Sequence, residues 1–417
     1  MNSLIILAAG KGERLRPLTE TRPKPLIPVI DETLLSRHLR LASNYFQPDE
    51  VIIVSSYMMD KVTQYVASLN VEARVINQKG ELGTGHAINE ALKEAEGDEI
   101  LIVYSDIYVG EGVYKAMSTA EAPSILAAVT ETPWEYGVLK IRDGGFAGIV
   151  EKPEKGKEPS NLIFAGMIKI TSDHKDYFKD LPLSPRGEYE ATDALTSMAK
   201  DYPVSIVRVP ESDIWLDIGR PWDLFTASRY RLEELLQEKE VVKGDVSPYA
   251  HIEGPVVIEE GARIKPYTYI EGPAYIGPGV EVGPHAYVRP WSIMMSNSKA
   301  GHSTEIKASI LFEGAKAPHF NYIGDSIVGE HVNLGAGTIT ANLRFDKGTI
   351  KMTVKGKRVD TGRKKLGAVI GGYAQTGINV SIYPGVKIGS YAWIYPGCVV
   401  KRDVEKGGVF RCQEAST

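Results

Sequence analysis

Two hydrophobic rhythms divide the chain. In the first part, short apolar runs rich in β-branched residues, at Leu4–Leu7, Val51–Ser55, Ile100–Val103 and Ile125–Val129, alternate with segments of helical apolar spacing such as Leu34–Tyr45. Continuous apolar runs of this length read as buried strands, and their alternation with helices predicts an α/β doubly wound (Rossmann-like) sheet. From Ile252 the period becomes six: Ile252, Ile258, Ile264, Ile270, Ile276, Val282 and Val288, resuming at Ile370 through Thr376, Ile382, Ile388, Ile394 and Val400. With Gly and Pro at the corners, this hexapeptide rhythm predicts a left-handed parallel β-helix, three repeats to each triangular coil and one aliphatic residue per side filling the interior. Between the two, Pro221–Glu240 has helix-compatible spacing and ends in charge. The expected organisation is an α/β domain over 1–228, a connecting helix or linker over 229–243, and a β-helix over 244–417.

The loop after the first strand carries the first candidate chemistry. From Leu7 through Ala8, Ala9, Gly10 and Gly12 the side chains are small enough for backbone N–H groups to cradle phosphate oxygens. Arg14, Arg16, Arg22 and Lys24 add positive charge, and Pro23 and Pro25 stiffen the part that presents Lys24. A triphosphate is the natural guest. Gln78 lies ahead of a second small-residue loop containing Gly83 and Thr84. Its carboxamide suits the edge of a pyrimidine, which those small residues let lie against backbone. Asp106, just past a buried strand, is placed to hold Mg2+ beside phosphates.

Composition narrows the setting. The 417 residues allow two domains, each with its own core. With 24% charged residues and a formal net charge of −5, a nucleic-acid partner held by its phosphates is not expected. No apolar stretch reaches the ~20 residues that span a bilayer, and no signal peptide precedes the first strand, so the expectation is no membrane and a cytoplasmic location. Cys398 and Cys412 are accordingly expected to be thiols.

The stretch LAAGKGERLRPLT followed by RPKPLIPV resembles the signature of sugar-1-phosphate nucleotidylyltransferases, departing from it at Glu13. The resemblance implies catalytic roles for Arg14 and Lys24, nucleotide contacts from Leu7, Ala8, Ala9, Gly10 and Gly12, and reading of uracil or thymine by Gln78, Gly83 and Thr84. In WLDIGRPWD it implies Asp217 as a second metal ligand, with Mg2+ between Asp106 and Asp217. It places Gly137 and Glu151 on the sugar hydroxyls and Lys152 on the sugar's phosphate. Phe164 stands where N-acetylglucosamine-specific members often carry Asn, and GEYEATD is expected to shape the sugar pocket.

The second half resembles hexapeptide acyltransferases, which generally form trimers with active sites between neighbouring prisms. Within it, EIKAS, KAPHFNYIGDS and VNLGAGTITANLRFD resemble the acetyltransferase half of the bifunctional family that makes UDP-N-acetylglucosamine. That implies His319 as general base, Arg289 and Lys307 on the acceptor's phosphate, and Tyr322, Asn333 and Asn342 at the sugar or reacting centre, with Lys351 a further acceptor ligand. Leu343–Leu366 is expected to leave the prism as a basic loop, its charges either holding coenzyme A or solvated. The whole predicts a homotrimer that acetylates glucosamine (or galactosamine) 1-phosphate with acetyl-CoA and joins a sugar 1-phosphate to UTP or dTTP. The alternatives are a glucose-1-phosphate thymidylyltransferase with a non-catalytic trimerising prism, and a regulatory scaffold subunit.

Overall fold

A computed structural model describes residues 1–80, 82–237 and 242–412. The end of the expected connecting helix, at 238–240, lies outside the described residues. The chain forms two compact units, Met1–Lys11 with Pro23–Leu26 and Leu34–Ile218, and Gly12–Arg22 with Ile27–Thr33 and Gly219–Thr417.

In the first unit, parallel strands Asn2–Ala8, Glu50–Ser55, Arg74–Asn77 and Glu99–Tyr104 lie in the order third, second, first, fourth. Both faces are covered, which is why the strands read as unbroken apolar runs: Leu4 and Ile6 pack into one core with Leu35, Leu41 and Val113, while Ile5 packs into the other with Ile88, Ala91 and Leu195. The sheet then turns antiparallel at Leu162–Thr171, which pairs with Glu99–Tyr104 and leads to the hairpin Gly137–Arg142 and Gly145–Glu151. The predicted strand at 125–129 is Ser124–Val129, between Leu162–Thr171 and Ser205–Arg208. Strand order reverses between Asn2–Ala8 and Glu99–Tyr104, where open α/β sheets offer a crevice at the strands' carboxyl ends. The backbone N–H and the hydroxyl of Ser105 both bond to the Leu7 carbonyl, at 3.1 and 2.6 Å, closing those two ends together.

One buried histidine makes this unit sensitive to acid. His38 is fully buried, with Nε2 2.9 Å from the Ile107 carbonyl and Nδ1 2.8 Å from the Tyr114 hydroxyl. The carbonyl can only accept, so Nε2 carries the proton and Nδ1 accepts from tyrosine. Burial pushes its pKa down to about 4. The folded state therefore favours the neutral ring while the unfolded chain takes up a proton near pH 6.5, so stability is retained above about 6.5 and lost as pH falls towards 4. Denaturant unfolding is expected to weaken by up to ~1.4 kcal/mol per pH unit across that window. The loss should be absent in His38→Gln; an equal loss in that variant would assign the acid sensitivity to other groups.

The second unit is the predicted prism. Its strands stack into three parallel sheets of nine, eight and seven among the described residues. Ile264 pairs with Val282, 18 residues on, whereas Ala300 pairs with Ala317, 17 residues on. The interruption of the six-residue period after Val288 is therefore not a break in the prism: interior residues Ile306, Leu311, Ala317, Ile323, Val328 and Leu334 stay buried, with one five-residue side per coil. The excursion at 343–366 leaves between coils that remain in register, because Thr340 pairs with Ile323 on one side and Ile382 on the other. The excursion folds as a hairpin, Lys351–Val354 with Lys357–Asp360, above an isolated bridge between Leu343 and Lys365. The helix Asp223–Gln237 buries Leu224, Phe225 and Leu232, and its Arg231 grips Asp31 through two 2.8 Å bonds.

One expectation is overturned here. Cys398 and Cys412 are not thiols but form a disulfide, with their Cα atoms 5.2 Å apart. Their separation of 14 residues is nearly one coil, so the chain returns beside its own earlier turn at bonding distance. No described helix is long and apolar enough to cross a membrane.

Candidate active sites

In the first unit, a two-stranded ladder of Ile107–Val109 with Trp215–Asp217 brings the two predicted carboxylates together. Asp217 lies opposite Ile107, and the N–H of Ile218 bonds to the Asp106 carbonyl at 2.9 Å. Lys24, only 7% exposed, sets its ammonium 2.9 Å from Asp106 Oδ2 and 3.9 Å from Asp217 Oδ1. Two carboxylates that converge on one ammonium also suit a hard divalent cation. Among the described residues no group of three or more His, Cys, Asp or Glu can hold a metal, so Mg2+ there would draw its remaining ligands from water and phosphate oxygens.

The loop residues divide. A side chain built on Gly10 would meet nothing within 4 Å, so open space lies beside the backbone at Gly10. Gly12 and Arg14 fall in the second unit, Gly12 in the left-handed region at φ 63° and Arg14 in the short turn Glu13–Leu15. Two of the cations read as phosphate-facing have other surroundings in that unit. Arg22 is taken by Glu313 and Glu330, and Arg16 lines a cavity of about 290 Å3 with Glu20, Lys355 and Lys387. Burial pushes the Lys387 pKa down to about 8. Glu13, the departure from the nucleotidylyltransferase signature, has its carboxylate 3.2 Å from Lys355 Nζ in the inserted hairpin.

Gln78 is buried, and its amide nitrogen donates to the Gly83 carbonyl at 3.0 Å, while its oxygen has the chemistry to accept from a base N–H. Gly83 sits at φ 94°, and a Cβ there would lie 2.6 Å from the Tyr189 carbonyl. Tyr189 in turn bonds to Leu82 and Gly85, so GEYEATD buttresses the Gly83–Thr84 loop that opens the helix Thr84–Glu94. Gly137 and Glu151 are register partners, and a Cβ on Gly137 would press within 2.9 Å of the Glu151 carboxylate. Burial raises the Glu151 pKa, opposed by Arg186 at 3.3 Å and Lys152 at 4.0 Å. Lys152 itself is half exposed, in the left-handed region at φ 44°. Phe164 packs edge-on against Tyr104. The sequence reading missed Arg186, which bonds to Glu190 at 2.6 Å and to Glu151 at 3.3 Å from a turn with no local signature.

On the prism, one sheet gathers a polar strip. Arg289 meets Glu305 at 2.9 Å, Lys307 meets Asp325 at 2.7 Å, and the Asn342 amide donates to Asp325 at 2.5 Å and to the Tyr322 hydroxyl at 3.2 Å. Gly324 leaves room for this cluster, since a Cβ there would lie 2.7 Å from the Tyr322 hydroxyl. Burial, with Glu305 adding to it, raises the Tyr322 pKa. Glu305 and Asp325 were missed, although each follows its partner by about one coil. His319 and Asn333 are on a neighbouring sheet: exposed His319 pairs in register with His302, and Asn333 lies between Lys316 and Gln375. Lys351 stands on the inserted hairpin. The predicted acetyl-transfer residues are thus spread over two sheets and one loop of a single chain.

Comparison with known proteins assigns the class first. Residues 3–234 match the family described as Nucleotidyl transferase, and residues 255–290 match Bacterial transferase hexapeptide (six repeats). The crystal structure of UDP-glucose pyrophosphorylase complexed with UDP-glucose superposes with a TM-score of 0.50 at 21% identity, covering 56% of this chain and 99% of that one, a likeness of fold. A nucleotidyl transferase domain followed by a hexapeptide prism is therefore what the fold and the sites define. The bifunctional sugar-1-phosphate nucleotidylyltransferase/acetyltransferase of Sulfurisphaera tokodaii is 44% identical over 97% of this chain and 99% of its own. Bifunctional protein GlmU of Methanocaldococcus jannaschii is 40% identical over 96% and 95% respectively. The chain belongs to this family of bifunctional nucleotidylyltransferase/acetyltransferase enzymes, as the sequence motifs of both halves implied.

Proposed function

We propose that the enzyme acetylates glucosamine 1-phosphate, with galactosamine 1-phosphate as the rival acceptor, and then transfers UMP or dTMP from UTP or dTTP to the sugar 1-phosphate with release of pyrophosphate. The observation that carries the second step is the Lys24 ammonium set between Asp106 and Asp217. Mg2+ bound by these carboxylates supplies charge neutralisation at the α-phosphate. The loop from Leu7 through Ala8 and Ala9 to Gly10, open at Gly10, receives the triphosphate, together with Gly12. Arg14 and Lys24 stabilise the departing pyrophosphate and the α-phosphate, a positioning and electrostatic contribution. Gln78, Gly83 and Thr84 select the base, while Gly137, Glu151 and Lys152 seat the sugar phosphate. The functional division follows 1–228 for nucleotidyl transfer and 244–417 for acetyl transfer, joined through 229–243.

In the prism, Arg289 and Lys307 hold the acceptor's phosphate beside Tyr322 and Asn342, with Asn333 and Lys351 as further contacts. The amine attacks the thioester carbonyl of acetyl-CoA, His319 takes the amine proton, and coenzyme A leaves as the thiol. Because these residues occupy two sheets of one chain, a homotrimer that faces prism against prism completes the set. The substrates place the enzyme in the cytoplasm. The test is a thiol-release assay with acetyl-CoA and each amino-sugar phosphate, followed by pyrophosphate release with UTP and dTTP. Thiol release with glucosamine 1-phosphate supports the proposal, whereas silence with both acceptors would leave a thymidylyl- or uridylyltransferase carrying an inert prism.

A further inference from the structure

The segment Gly12–Arg22 belongs to the same compact unit as the prism, and prism side chains hold it at several levels of the stack. The Arg22 guanidinium bonds to Glu313, lies 3.2 Å from Glu330 Oε2 and sits over the Phe312 ring at 5.5 Å. Burial opposes the charge of Arg22, but Glu330 and Glu313 outweigh it and its pKa is raised. Further along the segment, Glu20 Oε2 accepts the Ser390 N–H at 2.7 Å, the Pro17 carbonyl accepts the Ser390 hydroxyl at 3.3 Å, and Lys406 donates to the Glu20 carbonyl at 3.3 Å. Leu15 and Leu18 are fully buried.

Two adjacent glycines clear the space for this contact. A Cβ on Gly371 would lie 2.9 Å from the Pro17 side chain, and a Cβ on Gly372 would lie 2.4 Å from the Glu330 carboxyl carbon. Neither glycine is needed for a left-handed turn, since neither is among the positive-φ glycines. Gly371 makes room first for its neighbouring coil, since a Cβ there would lie 2.6 Å from the Ser390 backbone nitrogen, and Gly372 makes room for the acid that holds the segment.

We propose that Arg22, gripped by Glu313 and Glu330, is a positioning residue for nucleotidyl transfer. It fixes the segment Gly12–Arg22 that presents Arg14. The inference rests on the role proposed above for Arg14. It makes nucleotidyl transfer depend on prism side chains that begin 291 residues away in the chain. Both carboxylates meet the same terminal nitrogen of Arg22, Nη2, so removing them releases the side chain that ties the segment to the prism.

The test uses the full-length protein. Arg22→Met and the double variant Glu313→Gln/Glu330→Gln are compared with Arg22→Lys, following pyrophosphate release, thiol release and melting temperature together. The expected result is a ~10- to 10²-fold fall in kcat for pyrophosphate release, the scale of a displacement near 1 Å, with KM for the nucleotide changed less. Thiol release should stay within about twofold, and Arg22→Lys should recover part of the rate because it keeps a positive charge that can face the two carboxylates. Should the buried substitutions fail to fold, Glu313→Gln alone decides, since that carboxylate is 35% exposed. Unchanged nucleotidyl kinetics in a folded variant would overturn the proposal, as would an equal loss of both activities tracking a lowered melting temperature. An Asp106→Ala control that still releases pyrophosphate would instead refute the underlying assignment of the nucleotidyl site.

Discussion

Replacing Asp106 by alanine is expected to cut pyrophosphate release by ~10²-fold or more while acetyl transfer stays within twofold. A strand ladder sets Asp106 beside Asp217, with the buried Lys24 ammonium between them. Without Asp106, Lys24 keeps Asp217 at 3.9 Å as its carboxylate partner among the described residues, and a metal held as proposed would lose one of its two protein ligands. Phosphoryl transfer involves little covalent chemistry from the protein, so lost positioning and charge neutralisation appear directly in kcat. Asp106→Asn, nearly isosteric, should share the loss, which separates charge from packing. Retention of nucleotidyl transfer in both variants would remove Asp106 from the site.

His319→Ala should have the opposite profile: thiol release falls by ~10²- to 10⁴-fold, the usual range for a general base, with pyrophosphate release unaffected. The side chain is exposed and its ring makes no hydrogen bond among the described residues, so truncation leaves no cavity. The backbone bond from its N–H to Asn321 Oδ1, at 3.1 Å, persists in the variant. His302, in register one coil earlier, is the rival base. If His302→Ala silenced acetyl transfer and His319→Ala did not, the base would be reassigned by one coil.

Legibility in the sequence tracked how local the physics was. The prism could be read because each hexad reports its own inward residue, and Ile264, Val282 and Ala300 need no distant partner to declare the period. The carboxylate pair was readable by resemblance, although its convergence comes from pairing between residues 107–109 and 215–217. Long-range pairings with no local signature stayed hidden. Arg22 looked like one more phosphate-facing cation because nothing near it foretells Glu313 or Glu330. Glu13 looked like a flaw until Lys355 supplied its partner. The cysteines were judged by compartment, whereas coil geometry decided their pairing.

The segment that Arg22 anchors has a mechanical consequence for the stack itself. In solenoids each layer touches only its neighbours, so melting can begin at an end and advance layer by layer. Here a single strand of chain is pinned to Glu313, Glu330, Ser390 and Lys406, which lie on different layers, so it acts as a splint laid lengthwise over the terminal half. The final layers cannot peel away without first tearing loose the piece that carries Arg14.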